Sequence, residues 1–282
     1  MTVKEALETA SRKLKKNNIE NSINEAKYLL KYLLKKDDVF FITDLNYELT
    51  DDEINEYEKL INKRCSHVPF SYITGIKEFM GLDFYVDEET LIPRPETEII
   101  VEYMIEHFKA IPMDILEIGV GSGCISISIA KCLENVNILG VDINEKALVT
   151  ANKNIKEHNV QDRVKFIKSD IYENVEGKFD IIISNPPYIR KDIIDTLEDD
   201  VKKYEPILAL DGGEDGLYFY REIINNASKY LNEGGHIIFE IGYDQGEEVK
   251  DLLIQNNFAD IEIIKDLAGF DRTVAGRLKL LK

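Results

Sequence analysis

From Asp114 onward, apolar runs suited to buried strands alternate with stretches of helical spacing, which calls for a mostly parallel sheet covered by helices on both faces. The strand runs are Ile115 to Ile118, Asn137 to Val141 ending at Asp142, Val164 to Ile167 ending at Ser169-Asp170, Phe179 to Ile183, and His236 to Ile241. Helices are predicted from Cys124 to about Leu133, after the cap Asn144, from Gly216 to Leu231 and from Gly246 to Asn256. The last two runs, Asp260 to Lys265 and Arg272 to Leu280, have no helix between them and should pair antiparallel. Ligands of such sheets bind beyond the carboxyl ends of the strands, where Gly119 to Gly123, Asp142, Asp170 and Asn185 all fall.

The most specific of these strand ends is Ser184-Asn185-Pro186-Pro187-Tyr188-Ile189. Each proline locks φ and lacks an N–H, and each disfavours helix for the residue before it, so the turn is stiff and extended. The Asn185 side-chain oxygen and the Pro186 carbonyl are acceptors, and the Tyr188 ring offers a flat π face. Together they suit a planar amino group of an amide or a nucleobase. The lone pair of such a nitrogen is delocalised, so a clamp that aligns it with an electrophilic methyl acts mainly through orientation.

The turn after the first sheet strand is Gly119-Val120-Gly121-Ser122-Gly123, and the second strand ends in Asp142. The glycines let a ligand lie against the backbone, and the Asp142 carboxylate accepts both hydroxyls of a ribose. Asp170 or its neighbour Ile171 could contact an adenine, although Asp170 could equally be a strand-end cap, and Glu117 could simply brace the glycine turn. An adenosyl cofactor beside an amide clamp points to S-adenosylmethionine and methyl transfer to nitrogen, with no metal and no covalent enzyme intermediate.

Residues 2 to about 65 read as helices only. Ala6, Leu7, Ala10 and Leu14 form one apolar face, as do Ile23, Ala26, Leu29, Leu30, Leu33 and Leu34, and Thr50-x-x-Glu53 is a capping box before Ile54, Tyr57, Leu60 and Ile61. Between Pro69 and Ile92 the period changes, and Phe79, Leu82, Phe84 and Val86 with Gly75 and Gly81 suggest a hairpin. Leu91-Ile92-Pro93-Arg94-Pro95-Glu96-Thr97-Glu98 is a second proline-stiffened turn leading into a helix to about Phe108, with Arg94 as either a positioned cation or a solvated arginine.

Lys and Arg total 35 against 53 Asp and Glu, a net charge of −18, so a partner held mainly through phosphates is disfavoured. Cys65, Cys124 and Cys132 form no C-x-x-C pair, which fits neither a disulfide framework nor a zinc site, and His67, His107, His158 and His236 are scattered without ligand spacing. No apolar stretch approaches a membrane span, so a cytoplasmic protein is expected, with neither membrane nor direct nucleic-acid contact.

Six motifs together resemble the HemK/PrmC protein-glutamine methyltransferases. They are Leu91 to Glu98, Glu117-x-Gly-x-Gly-Ser-Gly-Cys124, Ser184 to Tyr188, Tyr204-Glu205-Pro206, Asp211-Gly212-Gly213-x-Asp215-Gly216-Leu217 and Asp271-Arg272-x-Val-Ala-Gly276. The resemblance implies an α/β fold, a Rossmann-like class I methyltransferase sheet with an antiparallel last strand. It also implies a substrate-docking helical domain over residues 1–68, a hairpin linker over 69–92 and a methyltransferase domain over 93–282. The implied reaction is N5-methylation of the glutamine in the Gly-Gly-Gln loop of peptide-chain release factors, from S-adenosylmethionine. Cofactor contacts carry over to Gly119, Val120, Gly121, Ser122, Gly123, Asp142, Asp170, Ile171 and Asn185, and the amide site to Asn185, Pro186, Pro187 and Tyr188. Many relatives have a small polar residue where Val120 stands, and some an aromatic in place of Ile171. The alternative is an amino methyltransferase acting on adenine or guanine of a nucleic acid. Against it, Lys191 is followed by Asp192, Asp195, Glu198, Asp199 and Asp200 rather than by a basic stripe.

Overall fold

The computed structural model describes residues 1–109 and 111–280. In chain order the elements are α1 (Val3–Lys16), α2 (Ser22–Leu34), α3 (Phe40–Thr43), α4 (Asp51–Cys65), α5 (Phe70–Thr74), β1 (Ile76–Phe79), β2 (Leu82–Tyr85), α6 (Glu98–Phe108), β3 (Met113–Ile118), α7 (Cys124–Cys132) and β4 (Val136–Asp142). They continue with α8 (Glu145–Glu157), β5 (Val164–Lys168), β6 (Phe179–Ser184), α9 (Lys191–Ile194), α10 (Asp199–Tyr204), α11 (Tyr218–Tyr230), β7 (Leu231–Glu240), α12 (Gly246–Gln255), β8 (Phe258–Lys265) and β9 (Asp271–Leu278).

Two compact units divide the chain. The first comprises Met1–Gly75 with the returning segment Glu198–Tyr204. Its core joins Val3, Ala6, Ala10 and Leu14 of α1 to Ala26, Leu29 and Leu30 of α2 and Tyr57 and Ile61 of α4. Thr2-x-x-Glu5 and Thr50-x-x-Glu53 both form reciprocal capping boxes, satisfying N–H groups that α1 and α4 would otherwise leave unpaired. The returning α10 is tied in by ion pairs: Asp200 takes Arg64 Nη2 at 2.8 Å while Arg64 Nε holds Glu25 at 2.9 Å. Ile23, expected on the apolar face of α2, is instead 73% exposed. At 3.6 residues per turn it stands roughly 60° around the helix from Ala26, off the centre of the buried stripe.

The second unit comprises Ile76–Leu197 and Glu205–Lys282. Its seven-stranded sheet runs in the order β5-β4-β3-β6-β7-β9-β8. Strands β3 to β7 are parallel, and β9 is antiparallel to both β7 and β8, as the missing crossover helix requires. Successive side chains face opposite layers. Ile181 and Ile183 pack with α6, α7 and α8 on one face, while Leu116, Ile118 and Ile182 pack with α11 and α12 on the other. Burial on both faces explains the continuous apolar run Ile181 to Ile183 of β6 and the largely apolar β3, which Glu117 interrupts. The separate β1–β2 hairpin pairs Ile76 with Tyr85 and buries Phe79 and Phe84 in the α6–α8 layer. The chain moves outward from β3 through β4 to β5, then crosses back to β6 on the other side of β3. That reversal opens a crevice at the carboxyl ends of β3, β4 and β6.

Candidate active site

A cavity of about 270 Å³ occupies this crevice, close to the lower end of the range for small-molecule sites, ~300–1,000 Å³. Its floor is the turn after β3. Gly119 N–H donates to Val141 O at 2.8 Å, anchoring the turn on β4, and Gly119, Gly121 and Gly123 all have positive φ. A side chain at Gly121 would meet nothing within 4 Å, and one at Gly119 would face the Asn185 carbonyl at 3.8 Å. The first two glycines thus leave backbone open to the cavity. Gly123 does something else: it is not among the cavity-lining residues, and a Cβ there would stand 2.9 Å from the Phe166 ring, so it lets α7 close onto β5. Val120 and Ser122 both line the cavity.

Asp142, at the end of β4, spends an oxygen on each side of the ligand space. Oδ2 accepts the Gly121 N–H and Oδ1 the Asn144 N–H, both at 2.8 Å. Burial raises its pKa and these backbone donors oppose the rise. Glu117 is buried: one oxygen takes the Ser126 N–H at 3.1 Å and the Ser126 hydroxyl, while Oε1 has no hydrogen-bond partner. Burial pushes its carboxyl up to about 8, against the Ser126 bonds and with help from the charge of Asp142. An orphaned carboxylate oxygen beside a glycine cradle fits a cationic ligand, since leaving it unmatched is costly.

The Asp170-Ile171 corner also lines the cavity. Ile171 has φ +47°, an unfavourable conformation for a β-branched residue. The Ser169 hydroxyl holds that corner, donating to Ile171 O at 3.1 Å and accepting the Asn174 N–H at 3.0 Å.

Opposite stands the Asn185-Pro186-Pro187-Tyr188 turn, fastened to the sheet by the Ser184 hydroxyl on Ile118 O at 2.7 Å. Asn185, Pro186 and Pro187 line the cavity. Asn185 Nδ2 donates to Thr97 Oγ1 at 3.3 Å, and its Oδ1 makes no hydrogen bond among the described residues. Tyr188 is placed differently: it does not line the cavity, its ring is partly buried against the α11–α12 layer, and its hydroxyl donates to Glu240 Oε1 at 3.4 Å. The glycines of Asp211 to Leu217 back this turn. A Cβ on Gly212 would lie 2.8 Å from the Tyr188 backbone and one on Gly216 2.5 Å from Tyr188 O, which accepts from Gln245 Nε2 at 3.1 Å. Arg94 also lines the cavity, with Nη2 2.5 Å from the buried Glu205, so the Arg-Pro and Tyr-Glu-Pro motifs meet in one ion pair. No cluster of ligating side chains able to hold a metal occurs among the described residues.

Residues 96–203 match the Methyltransferase small domain, and residues 5–75 match the PrmC N-terminal domain. A release factor glutamine methyltransferase from Clostridium botulinum is 46% identical over 94% of this chain and 95% of its own length. The chain belongs to the release factor glutamine methyltransferase family. A second family member, from Clostridium acetobutylicum, is 45% identical over 97% of this chain and 98% of its own. The fold is shared with a methyltransferase of Pyrococcus furiosus, with a TM-score of 0.54 at 22% identity over 80% of this chain and 98% of that one. As a member of the family, the chain is an S-adenosylmethionine-dependent methyltransferase, and the fold class read from its sequence holds. In the sequence Thr97 and Glu205 stand in the family motifs without a role, and Glu240 is not singled out: Thr97 and Glu240 hold the Asn185 to Tyr188 turn and Glu205 holds Arg94, contacts that nothing local in the chain announces. Sequence reasoning also missed Leu208, Tyr218 and Phe219, which complete the cavity wall from outside the strand ends.

Proposed function

We propose that this release factor glutamine methyltransferase acts on the side-chain amide nitrogen of the glutamine in the Gly-Gly-Gln loop of peptide-chain release factors, and that the cavity holds the methyl donor and the amide at its two ends. The observation that carries the assignment is the placement of Asn185 at the strand-end switch point: it lines the cavity, its backbone carbonyl faces Gly119, its Nδ2 is held by Thr97, and its Oδ1 is uncommitted among the described residues.

S-adenosylmethionine, when bound, supplies a methyl group already activated on a positive sulfonium. Asp142 takes the ribose hydroxyls on the lone pairs that Gly121 and Asn144 leave free. The orphaned Glu117 Oε1 takes the ammonium of the amino-acid moiety. Gly119, Val120, Gly121 and Ser122 give it a backbone bed, Asp170 and Ile171 border the adenine, and Gly123 serves indirectly by seating α7. At the other end Asn185 Oδ1 and the Pro186 carbonyl accept the two N–H bonds of the glutamine amide, turning its nitrogen toward the methyl. Pro187 stiffens the turn, and Tyr188, set off the cavity wall, anchors it through its ring packing and its hydroxyl on Glu240. Alignment supplies most of the rate, since no base need act before the nitrogen has been alkylated.

The helical unit Met1–Gly75 with Glu198–Tyr204 serves to dock the release factor, and the enzyme works in the cytosol. No helix among the described residues is long and apolar enough to cross a membrane.

Methyl transfer from labelled S-adenosylmethionine to purified release factor tests the reading, alongside release factor with that glutamine replaced, bulk RNA and bulk DNA. Label in intact release factor alone is expected. Equal label in the replaced protein would remove glutamine as the acceptor, and label in RNA or DNA instead would make the clamp a nucleobase site.

A further inference from the structure

We propose that Thr97 and Glu240 form a polarity relay that fixes which end of the Asn185 carboxamide faces the cavity. An asparagine side chain presents an acceptor at one tip and a two-proton donor at the other, nearly equal in shape, so only its hydrogen-bond partners set its orientation. The proposed amide clamp works with the oxygen inward and fails with the NH2 inward, because a glutamine amide nitrogen offers N–H donors of its own.

The relay runs through two buried groups. Thr97 is 2% exposed and its Oγ1 accepts from Asn185 Nδ2 at 3.3 Å, so its single proton must go elsewhere. Glu240 is also 2% exposed, and its Oε2 has no hydrogen-bond partner. The Thr97 hydroxyl is close enough to that carboxyl to favour its charged form. A carboxylate only accepts. No hydrogen bond joins Thr97 to Glu240 among the described residues; the relay matches the two unpaired partners, the Thr97 proton going to Glu240 Oε2 while its lone pair stays on the Asn185 NH2, which leaves Oδ1 for the cavity. The other oxygen, Oε1, takes the Tyr188 hydroxyl at 3.4 Å, so one carboxylate steadies both ends of the turn.

Its position is set by the sheet. Ser184 of β6 pairs with Phe239 of β7, so Asn185 and Glu240 are the next residues along neighbouring strands. The Tyr220 hydroxyl pins the Glu240 carbonyl at 2.9 Å. The titratable groups around it are Glu96, which raises its pKa, Arg272, which lowers it, the hydroxyls of Tyr188 and Tyr220, and the Cys124 thiol. Burial outweighs the rest and holds the Glu240 carboxyl at about 7. When protonated it becomes a donor to Thr97. The Thr97 hydroxyl then turns its proton on Asn185, and the carboxamide flips to present NH2 to the cavity. Turnover should therefore fall as pH drops through about 7.

This inference rests on the amide-clamp reading, and two readouts separate its failure from a failure of that reading. The first is kinetic, on release factor with wild type, Thr97→Ser, Thr97→Val and Glu240→Gln. Thr97→Ser keeps the hydroxyl and should retain near wild-type kcat. Thr97→Val and Glu240→Gln should lose kcat by about tenfold or more, as misorientation at the reacting atoms does, with cofactor affinity and KM nearly unchanged. Glu240→Gln should also flatten the pH profile near neutrality. The second needs no substrate: the Asn185 side-chain NH2 resonances of the protein should shift with pH around the Glu240 midpoint, and both Thr97→Val and Glu240→Gln should abolish that shift. Equal kinetic losses for Thr97→Ser and Thr97→Val, or Asn185 resonances that ignore pH and both substitutions, would overturn the relay. A normal resonance shift in a protein that leaves release factor unmodified would keep the relay and overturn the substrate instead.

Discussion

Asp142 and Gly121 are joined by a 2.8 Å hydrogen bond from the glycine N–H to Oδ2, so the carboxylate assigned to the ribose also holds the glycine turn in shape. Removing it disturbs the ligand and its bed at once. Asp142→Ala is expected to weaken S-adenosylmethionine binding by ~10-fold or more, in line with about 1.5–3 kcal/mol for hydrogen bonds to a charged group. Calorimetry showing unchanged affinity would remove Asp142 from the cofactor site.

Glu117 gives a pH signature. Its carboxyl sits at about 8, above its ordinary 4.5, so at neutral pH the free enzyme holds it mostly protonated. An ammonium settling on Oε1 favours the charged form, so binding expels a proton and cofactor affinity should tighten as pH climbs toward about 8. Glu117→Gln should bind more weakly at the upper end and show little pH dependence; a wild-type affinity that is flat with pH would contradict the assignment. Stability runs the other way. A raised acid contributes stability that is complete below about 4.5 and lost as pH rises through about 8, so the free Gln variant should gain on wild type in melting temperature over that window.

Tyr188 divides into a ring and a hydroxyl. The hydroxyl bonds Glu240 and lowers its pKa, so Tyr188→Phe should move the acid limb of the rate profile to higher pH. Well above that limb it should stay within roughly fivefold of wild type, the worth of one hydrogen bond at about 1 kcal/mol. Tyr188→Ala also removes ring packing against the α11–α12 layer and should cost more at every pH. A Phe variant whose profile coincides with wild type would show that the hydroxyl does not sense Glu240.

Arg94 and Glu205 form an ion pair in which the carboxylate side chain is 2% exposed and the guanidinium 34%. Arg94→Met strands the buried charge, although solvent near the arginine softens the loss. A decrease of about 1–3 kcal/mol is expected in urea unfolding, below the ~3–5 kcal/mol typical of breaking a fully buried pair. Glu205→Gln, which removes the charge instead of stranding it, should cost less. The reverse ranking would show that the pair is held by packing rather than charge.

The alternating pattern after Asp114 was legible because burial on both faces demands largely apolar strands, and the turns that follow them carry residues with few other uses. Asn185, Asp142 and the glycine turn could be placed at one end of the sheet for that reason. Thr97 and Glu240 could not. Glu240 lies inside the apolar run His236 to Ile241 with no neighbour in sequence to mark it, yet Tyr188 of the turn after β6 reaches its carboxylate and it is 2% exposed. Tyr188 was given its role from ring chemistry, while register and the backing glycines at 212 and 216 decide where that ring points. Ile23 reads as core from spacing alone, which records angle on a helix but not where the neighbouring helices end.

The insertion of β9 between β7 and β8 also constrains how the enzyme is made. Thr273 is paired with Glu240 across that ladder, so the strand carrying the relay carboxylate has no neighbour on one side until residues 271–278 have been synthesised. Until then β7 is an open edge, a template for pairing with another chain. Closing it means threading the last-made strand between two already translated ones, a non-local step of the kind that slows folding. A nascent chain should therefore acquire its glycine turn early and its orienting machinery last, and chaperone demand should peak in the interval between the two.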